Sequence, residues 1–300
     1  MTAAFTADSL GRRYGNVWAL RDCSFQVPQG SVTALVGPNG AGKTTLLEIA
    51  VGILDPTEGC IRVLGEPVRG RVASLLSRVG FVAQDTPLYR SFSVAEMLQF
   101  GRRMNPLWDD ALAHERMRRL RIPLDRPCGQ LSGGQQAQVA LTLAVAKRPA
   151  ILILDEPVAR LDPLARREFL ESLMEIVADG DVTVILSSHL ISDLERVSDH
   201  LVLLSEGQVL VAGDTAQLLS DHHMVAGPRS SLEDASSQVA IVDARVTQRQ
   251  VTLLVHGQLP FLHPNVTVSD VDLEELVLAY LRRNGTLPRL REPQLAGSRS

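Results

Sequence analysis

Two unbroken apolar runs mark the chain, and each leads directly into a segment of special chemistry. "VTALVG" (32–37) runs into a glycine-rich turn, and "AILILDEP" (150–157) ends in two acidic residues. Continuous apolar runs of this length are typical of strands buried on both faces of a sheet. Further strands are predicted at 79–84, 182–188 and 200–207, and helices at 43–53, 94–122, 135–147, 163–178 and 190–197. Strands that alternate with helices predict an α/β fold with a mostly parallel sheet.

Two regions of the first 220 residues interrupt this alternation. Residues 5–31 have the pattern of short strands and turns, which predicts an N-terminal antiparallel β subdomain. The long helical stretch that starts at residue 94 predicts a helical insert over about residues 85–135. Residues 1–220 are therefore expected to form one large domain.

The chain changes character after residue 220. Residues 221–237 are polar and rich in turn-forming residues, which predicts a linker that includes His222 and His223. Strands over 239–246 and 250–257, and an amphipathic helix over 272–283, predict a small C-terminal α+β unit at 238–284. Residues 285–300 have the composition of a disordered tail.

Bulk composition narrows the class of protein without identifying its chemistry. The chain has 45% hydrophobic and 21% charged residues and a net charge of −4, so no general attraction to nucleic acid or anionic lipid is expected. No apolar run approaches the roughly 18 residues of a membrane span, and the start of the chain lacks a signal-peptide pattern. Three cysteines match no metal or disulfide pattern, which favours a cytoplasmic setting. Of 30 lysine and arginine residues only Lys43 and Lys147 are lysines.

The first of these lysines lies in a glycine-rich loop between a predicted strand and a predicted helix. Such a loop wraps backbone N–H groups around phosphate oxygens, and the helix N-terminus adds its dipole. Lys43 is expected to reach the β- and γ-phosphates, and the Thr44 hydroxyl is expected to bind Mg²⁺. This pattern predicts a P-loop NTPase core whose phosphate-binding residues are Gly37, Pro38, Asn39, Gly40, Ala41, Gly42, Lys43, Thr44 and Thr45.

The acidic pair at the end of the second apolar run supplies the other half of a nucleotide site. Asp155 and Glu156 follow a buried strand, at the sheet edge where ligands bind in such folds. Adjacent residues diverge, so one carboxylate is expected to serve the metal and the other to polarise the attacking water.

A second glycine-rich loop, "LSGGQ", precedes the helix at 135–147. A Ser-Gly-Gly helix start offers N–H donors, a positive dipole end and no side-chain bulk, all of which suit a phosphate group. One nucleotide domain thus contains two loops of phosphate-binding type.

Residues 5–215 resemble the ATP-binding cassette ATPases in the kinds of motif that they contain and in the order of those motifs. "GPNGAGKTT" resembles Walker A and "ILILDEP" resembles Walker B, which implies ATP and Mg²⁺ as cofactors. The resemblance implies Glu156, His189 and Gln84 as catalytic residues, and Thr44, Gln84 and Asp155 as metal-binding residues. It identifies Gln84 with the Q-loop. It further implies nucleotide contacts for the signature residues Ser132, Gly133, Gly134 and Gln135, for Asp162 in the D-loop, and for Tyr14, which would stack on adenine. Trp18 lies four residues beyond Tyr14 and is an alternative stacking residue.

The resemblance also explains the two loops and implies the partners. In that family two cassettes meet head to tail, so that Ser132, Gly133 and Gly134 would contact ATP bound to a second ATPase subunit, either an identical chain or a related cassette. An integral-membrane permease is the second implied partner, docking near 85–104, where Leu88, Tyr89 and Phe92 either receive the partner or seal the insert. This places the chain on the inner face of the cell membrane.

Alternatives within the family are soluble cassettes that act in translation or on DNA. The single motif set and the absence of a long coiled coil favour a transporter subunit, so no nucleic-acid partner is expected. The short C-terminal unit favours export. Two departures from the family pattern are Arg160 before the D-loop aspartate and "QQAQ" (135–138) after the signature glycines.

Overall fold

The chain divides into two units, Met1–Asp214 and Thr215–Ser300. The computed structural model describes residues 2–68, 70, 73–180, 182–228, 240–247, 250–257, 259 and 265–283. The boundary falls at residue 214 instead of the expected 220, because Thr215 already starts a helix of the second unit. None of the helices in the described residues is long and apolar enough to cross a membrane.

The first unit contains two sheets and a helical region. Its strands are β1 (Ala3–Tyr14), β2 (Val17–Pro28), β3 (Val32–Val36), β4 (Glu58–Val63), β5 (Glu66–Pro67), β6 (Val79–Val82), β7 (Ile151–Leu154), β8 (Thr183–Ser188), β9 (His200–Ser205) and β10 (Gln208–Asp214). Its helices are α1 (Lys43–Ala50), α2 (Ala73–Leu76), α3 (Val94–Met104), α4 (Asp110–Arg119), α5 (Gly133–Val145), α6 (Pro163–Ala178) and α7 (Ile191–Leu194).

The larger sheet has the order β10-β9-β3-β8-β7-β6 and confirms the predicted α/β fold. Its strands are parallel except for β10, which runs antiparallel to β9 at one edge. Strands β3, β7 and β8 are buried along their whole length, as expected for strands covered on both faces. Because β8 lies between β3 and β7, the segments that follow these three strands meet at one edge of the sheet.

The N-terminal sheet is antiparallel, as expected, with the order β2-β1-β4-β5. Its strands β1 and β2 span 12 residues each, so the prediction of short strands and turns over 5–31 is wrong. The pairing of these strands shifts register between Ala7 and Leu10 and again near Arg12. Each shift breaks the alternation of apolar and polar residues, which made two long strands look like several short ones.

The helical insert is built from α3, α4 and the start of α5, and the single helical stretch predicted at 94–122 is interrupted. The Asp109 carboxylate accepts a hydrogen bond from the Leu112 N–H at 2.8 Å and begins α4 as its N-cap. Apolar side chains from these helices share one cluster that includes Val94, Met97 and Met117. Leu88 and Phe92 pack against this cluster, so they seal the insert, whereas Tyr89 remains 54% exposed.

In its described residues the second unit consists of an antiparallel sheet and two helices. Its elements are α8 (Thr215–Ser220), β11 (His222–Gly227), β12 (Ala240–Val246), β13 (Val251–His256), β14 (Thr267–Ser269) and α9 (Leu273–Arg283). The strand order is β12-β13-β11-β14. Residues 222–227, expected in a linker, therefore form an inner strand of this sheet; residues 229–237 and the expected tail at 285–300 lie outside the described residues.

His222, at the start of β11, is buried and only 1% exposed, which contradicts its assignment to a polar linker. Its Nδ1 lies 2.6 Å from the Leu218 carbonyl oxygen, which requires an N–H there, and its Nε2 lies 2.9 Å from the Tyr280 hydroxyl. Burial lowers the pKa of His222, and the neighbouring His256 ring opposes its protonation further, while the Asp221 carboxylate favours it. The neutral ring is thus part of the folded C-terminal unit.

We expect the second unit to become less stable as the pH falls from about 7.5 to about 5. The unfolded chain takes up a proton on His222 near the ordinary pKa of about 6.5, whereas the folded unit resists it, so stability is lost below that pH. Hydrogen exchange of peptides from β11 and β13, corrected for intrinsic rates, should report faster opening at pH 5. A His222→Gln variant should show a smaller pH effect; an equal effect would assign it to other groups.

Candidate functional site

The glycine-rich loop at 37–45 connects β3 to α1, as the sequence predicts. A side chain at Gly37 would collide with the Leu204 carbonyl, and one at Gly42 would collide with the Ala19 carbonyl. Gly42 also has φ +104°, a conformation that favours glycine. The Ala41 N–H donates to the Pro38 carbonyl at 3.1 Å, which closes the turn. The loop is therefore fixed by close backbone packing.

Helix α1 begins at Lys43, within this glycine-rich segment, and its N-cap, Gly42, supplies no side-chain hydrogen bond. The first N–H groups of a helix have no acceptor within the helix, so they are donors for an anion at this position. Thr44 is exposed at the helix start, and Thr45 is half-buried. This geometry suits the binding of nucleotide phosphates.

A chain of buried polar contacts joins the loop to the acidic pair. Lys43 Nζ donates to the Gly37 carbonyl at 2.7 Å and lies 3.1 Å from Glu156 Oε1. Glu156 Oε2 lies 2.6 Å from His189 Nδ1, which must carry the hydrogen because a carboxylate only accepts. Lys43 is 5% exposed and Glu156 is 7% exposed, whereas His189 is 37% exposed. Lys43 and His189, which come from two other predicted motifs, therefore meet at the Glu156 carboxylate.

Ser187 is a site residue that the sequence motifs do not indicate. Its hydroxyl donates to Asp155 Oδ1 at 2.7 Å and accepts from the Glu156 N–H at 2.8 Å. Glu156 has φ +46°, an unfavourable conformation for a side chain of this size, and the Ser187 contact helps to hold it there. A buried serine pair that ends β8 immediately before His189 is the signal that would have indicated this role.

Replacing Ser187 by alanine is expected to lower both the stability of the protein and the rate of ATP hydrolysis. The Glu156 N–H would lose its buried partner, at a cost of about 1–3 kcal/mol, and thermal denaturation should show a Tm several degrees lower. Because Glu156 would be less well held, ATP turnover should fall about tenfold. The matched variant is Ser188→Ala, which removes the contacts of that hydroxyl with the Leu190 N–H and carbonyl and should retain more of the turnover. Equal turnover in both variants would contradict this role for Ser187.

Oxygen atoms suited to Mg²⁺ come from three residues at the same edge of the sheet. These are the Thr44 hydroxyl, the Asp155 carboxylate and the Gln84 amide. Within the described residues no group of three or more histidine, cysteine or acidic side chains is arranged to hold a metal. One carboxylate with neutral oxygens fits Mg²⁺ that arrives together with nucleotide phosphates, because Mg²⁺ is commonly completed by phosphate and water oxygens.

The signature loop begins helix α5 through a reciprocal cap. The Gln135 N–H donates to Ser132 Oγ at 3.2 Å, and the Ser132 N–H donates to Gln135 Oε1 at 3.1 Å. Gln136 Nε2 donates to the Cys128 and Leu131 carbonyls, both at 3.1 Å. The unusual "QQAQ" segment thus stabilises the loop through its own amides, while Ser132 and Gly133 stay exposed.

The D-loop lies beside the signature helix. A Cβ at Gly134 would lie 2.9 Å from the Ala165 Cβ, so the starts of α5 and α6 are in close contact. Asp162 is the N-cap of α6, and its Oδ1 accepts from the Leu164 and Ala165 N–H groups, each at 3.0 Å. In this chain the Asp162 carboxylate is therefore engaged in a helix cap.

Gln84 and Tyr14 are predicted site residues with exposed side chains. Gln84 lines a small cavity together with Glu156 and Gly133, which brings the Q-loop and signature segments to the acidic pair. Tyr14 is 45% exposed, and the Arg12 guanidinium lies 4.8 Å from the centre of its ring. The alternative, Trp18, is half-buried and has Arg13 at 5.4 Å from its ring centre. Tyr14 is therefore the more exposed of the two candidates for stacking.

Comparison with known proteins is consistent with this geometry. The family model described as "ABC transporter" matches residues 20–159. "Nod factor export ATP-binding protein I" of Sinorhizobium fredii is 36% identical over 230 residues, which cover 73% of this chain and 65% of that protein. "Phosphonates import ATP-binding protein PhnC" of Thiobacillus denitrificans is 32% identical over 251 residues, which cover 78% of this chain and 96% of that protein.

Solved structures give the same result for the fold. The structure of cbiO1 from Clostridium perfringens, described as part of an ABC transporter complex, has a TM-score of 0.65 and 29% identity. The superposition covers 74% of this chain and 92% of that protein. From a curated relative matched over nearly its whole length, together with this fold, it follows that the chain belongs to the ABC transporter family as an ATP-binding cassette, the ATPase component of such transporters.

Proposed function

We propose that this chain hydrolyses ATP–Mg²⁺ between two cassettes that close head to tail, and that it thereby drives a separate integral-membrane permease in export. The second cassette is an identical or a related chain. The complex is expected on the inner face of the cell membrane, with the cassette as its peripheral subunit. The observation that supports a permease partner is an apolar cleft between the parallel sheet and the helical insert.

In the proposed hydrolysis, the phosphate loop holds the β- and γ-phosphates through N–H groups and Lys43. The phosphates compete with Glu156 for the Lys43 ammonium, which frees a carboxylate oxygen to accept a hydrogen bond from the attacking water. His189 keeps the other oxygen of that carboxylate oriented through its Nδ1–H. Mg²⁺, when bound with ATP, would neutralise the charge that develops on the phosphate oxygens, with Thr44, Asp155 and Gln84 in reach of its shell.

The signature loop supports the proposed head-to-tail contact. Ser132 and Gly133 are exposed, and in the hydrogen bonds of the described residues the Ser132 hydroxyl and N–H contact only Gln135. An exposed helix start without side-chain bulk can receive a phosphate group that is bound to another molecule. The same loop has no contact with the phosphate loop of its own chain in the hydrogen bonds of the described residues.

The cleft lies between the parallel sheet and the helical insert and has a volume of about 590 Å³. Its walls are largely apolar and include Ile53, Phe81, Pro87, Leu88 and Leu143. Ile53 is 49% exposed, and Tyr89 is exposed nearby with its ring 5.5 Å from that of Phe100. Lys147 also lines the cleft, where its Nζ donates to the Leu76 carbonyl at 2.8 Å and burial lowers its pKa. An apolar cleft of this size suits a short helix from a membrane protein.

The partner can be tested by affinity purification from the native host. A tagged Glu156→Gln variant is purified from detergent-solubilised membranes in the presence of ATP, and stoichiometric partners are identified by mass spectrometry. Recovery of a multi-span membrane protein supports the proposal. Adding Ile53→Glu in the cleft should abolish that recovery, whereas Leu107→Glu, at a residue 60% exposed outside the cleft lining, should preserve it. Recovery with ribosomes or DNA would support the soluble alternatives instead.

The direction of transport is proposed from the resemblance to the relative named for export. A host that carries Glu156→Gln in place of the natural chain should become sensitive to some members of a panel of toxic compounds. A growth defect that appears only when a nutrient is limiting would favour import.

A further inference from the structure

An ion pair joins two loops at the rim of the site. Arg160 Nη2 lies 2.9 Å from Asp85 Oδ1. Arg160 belongs to the segment between β7 and α6, and it is one of the two departures of this chain from the family pattern. Asp85 directly follows Gln84 in the turn after β6. Both side chains are well exposed, at 73% and 78%.

The pair lies at the same small cavity as the reacting groups. Gln84, Asp85 and Arg160 line this cavity together with Glu156 and Gly133. Arg160 and Asp85 belong to two different loops that line this cavity, so their contact ties the Gln84 turn to the segment that follows Glu156. Any movement of one loop away from the other would therefore change the position of Gln84 relative to Glu156.

Few other contacts hold Gln84 in this place. The Thr86 N–H donates to the Ala83 carbonyl at 2.9 Å, and Thr86 has φ +46°, which makes a tight turn with Gln84 and Asp85 at its tip. Among the hydrogen bonds and ion pairs of the described residues, none involves the Gln84 side chain. Within the same residues, Asp85–Arg160 is the side-chain contact that ties this turn to the segment 157–162.

We propose that Arg160 is a positioning residue for ATP hydrolysis, which acts through Asp85 to hold the Gln84 turn against the Glu156 segment. The inference rests on the proposed roles of Gln84 and Glu156. A charge-assisted hydrogen bond gives the two loops a defined separation, and small errors in the placement of reacting groups lower rates considerably. Because the pair is exposed to solvent, its contribution should weaken as salt rises.

The kinetic test compares Arg160→Ala, Asp85→Asn, the double variant and the charge swap Asp85→Arg/Arg160→Asp. Each single variant should lower kcat about two- to fivefold, the range that an exposed ion pair supports, while KM for ATP stays unchanged. The double variant should be no worse than either single variant, and the swap should recover part of the rate. Arg167→Ala is the matched control, because Arg167–Glu171 is an exposed pair of the same 2.9 Å length on the surface of α6.

A second readout does not depend on turnover. Hydrogen exchange of a peptide covering residues 83–90, measured without nucleotide, should be faster in Arg160→Ala and Asp85→Asn than in the natural chain, and unchanged in Arg167→Ala. Unchanged exchange, unchanged kcat, or additive losses in the double variant would each overturn the proposal. A loss from Arg160→Ala alone, with Asp85→Asn unaffected, would also overturn it and would indicate a contact with the second cassette. Failure of the head-to-tail proposal is distinguishable, because it would leave these exchange rates unaffected.

Discussion

A Glu156→Gln variant should bind ATP with nearly the affinity of the natural chain and hydrolyse it at least about a hundredfold more slowly. The amide has the size of the carboxylate, so it fits between Lys43 and His189, where Glu156 lies 3.1 Å and 2.6 Å from them. It cannot accept a proton from the attacking water, and loss of a general base typically costs 10²- to 10⁴-fold. ATP should therefore accumulate on the protein, and the ATP-bound dimer with it. Phosphate release, nucleotide binding and light scattering after gel filtration measure the three effects.

The control for this variant is Glu171→Gln, which alters an exposed glutamate on α6 and should change none of the three measurements. Normal turnover in Glu156→Gln would remove Glu156 from its proposed role. Loss of ATP binding would mean instead that Glu156 serves mainly as the counter-ion that keeps Lys43 in place.

The second large effect is expected from Ser132→Arg. ATP binding by a single chain should persist, because the phosphate loop at 37–45 is a separate part of the molecule. Dimer formation and turnover should fall more than about tenfold, because a long cation would occupy the exposed surface that is proposed to close over ATP on the second cassette. Gel filtration with ATP, in the Glu156→Gln background, measures the dimer directly.

The arginine also removes a helix cap, which by itself costs about 1 kcal/mol. Ser93 offers a matched control, since it caps α3 with the same reciprocal arrangement to Glu96. Ser93→Arg should cost similar stability and leave the dimer intact. If Ser132→Arg abolished ATP binding by the isolated chain, the signature loop would act within its own cassette and the head-to-tail proposal would be wrong.

The sequence predicts those parts of the fold that depend on local pattern. Strands β3, β7 and β8 are continuous apolar runs because they are buried on both faces. Such runs can be recognised in the sequence without knowing which strands pair with them. The long strands β1 and β2 are not readable in this way, because their register shifts interrupt the alternation. Strand β11 cannot be recognised from the local pattern because it begins with two histidines, and the burial of the first, His222, depends on Leu218 and Tyr280, residues outside the strand.

The same distinction applies to the site. The phosphate loop is predicted because all its residues are adjacent in sequence, and the structure places it between a strand and a helix as expected. The contact between Lys43 and Glu156 and the bridge through Ser187 depend on the order of strands in the sheet, which no local pattern specifies. The sequence likewise shows Arg160 only as a departure from the family pattern, because its partner Asp85 lies on a different loop.

The scarcity of lysine makes this chain suited to chemical footprinting. An amine-reactive reagent at mildly alkaline pH has two lysine side chains to modify, Lys43 in the phosphate loop and Lys147 in the wall of the apolar cleft. Burial lowers the pKa of Lys147, so a larger share of its amine is in the reactive, unprotonated form. Lys43 is 5% exposed and paired with Glu156, so modification should fall mainly on Lys147, and protection of Lys147 would report a docked partner. Mass spectrometry of the labelled sample would therefore record docking at one known position, even in a crude membrane preparation.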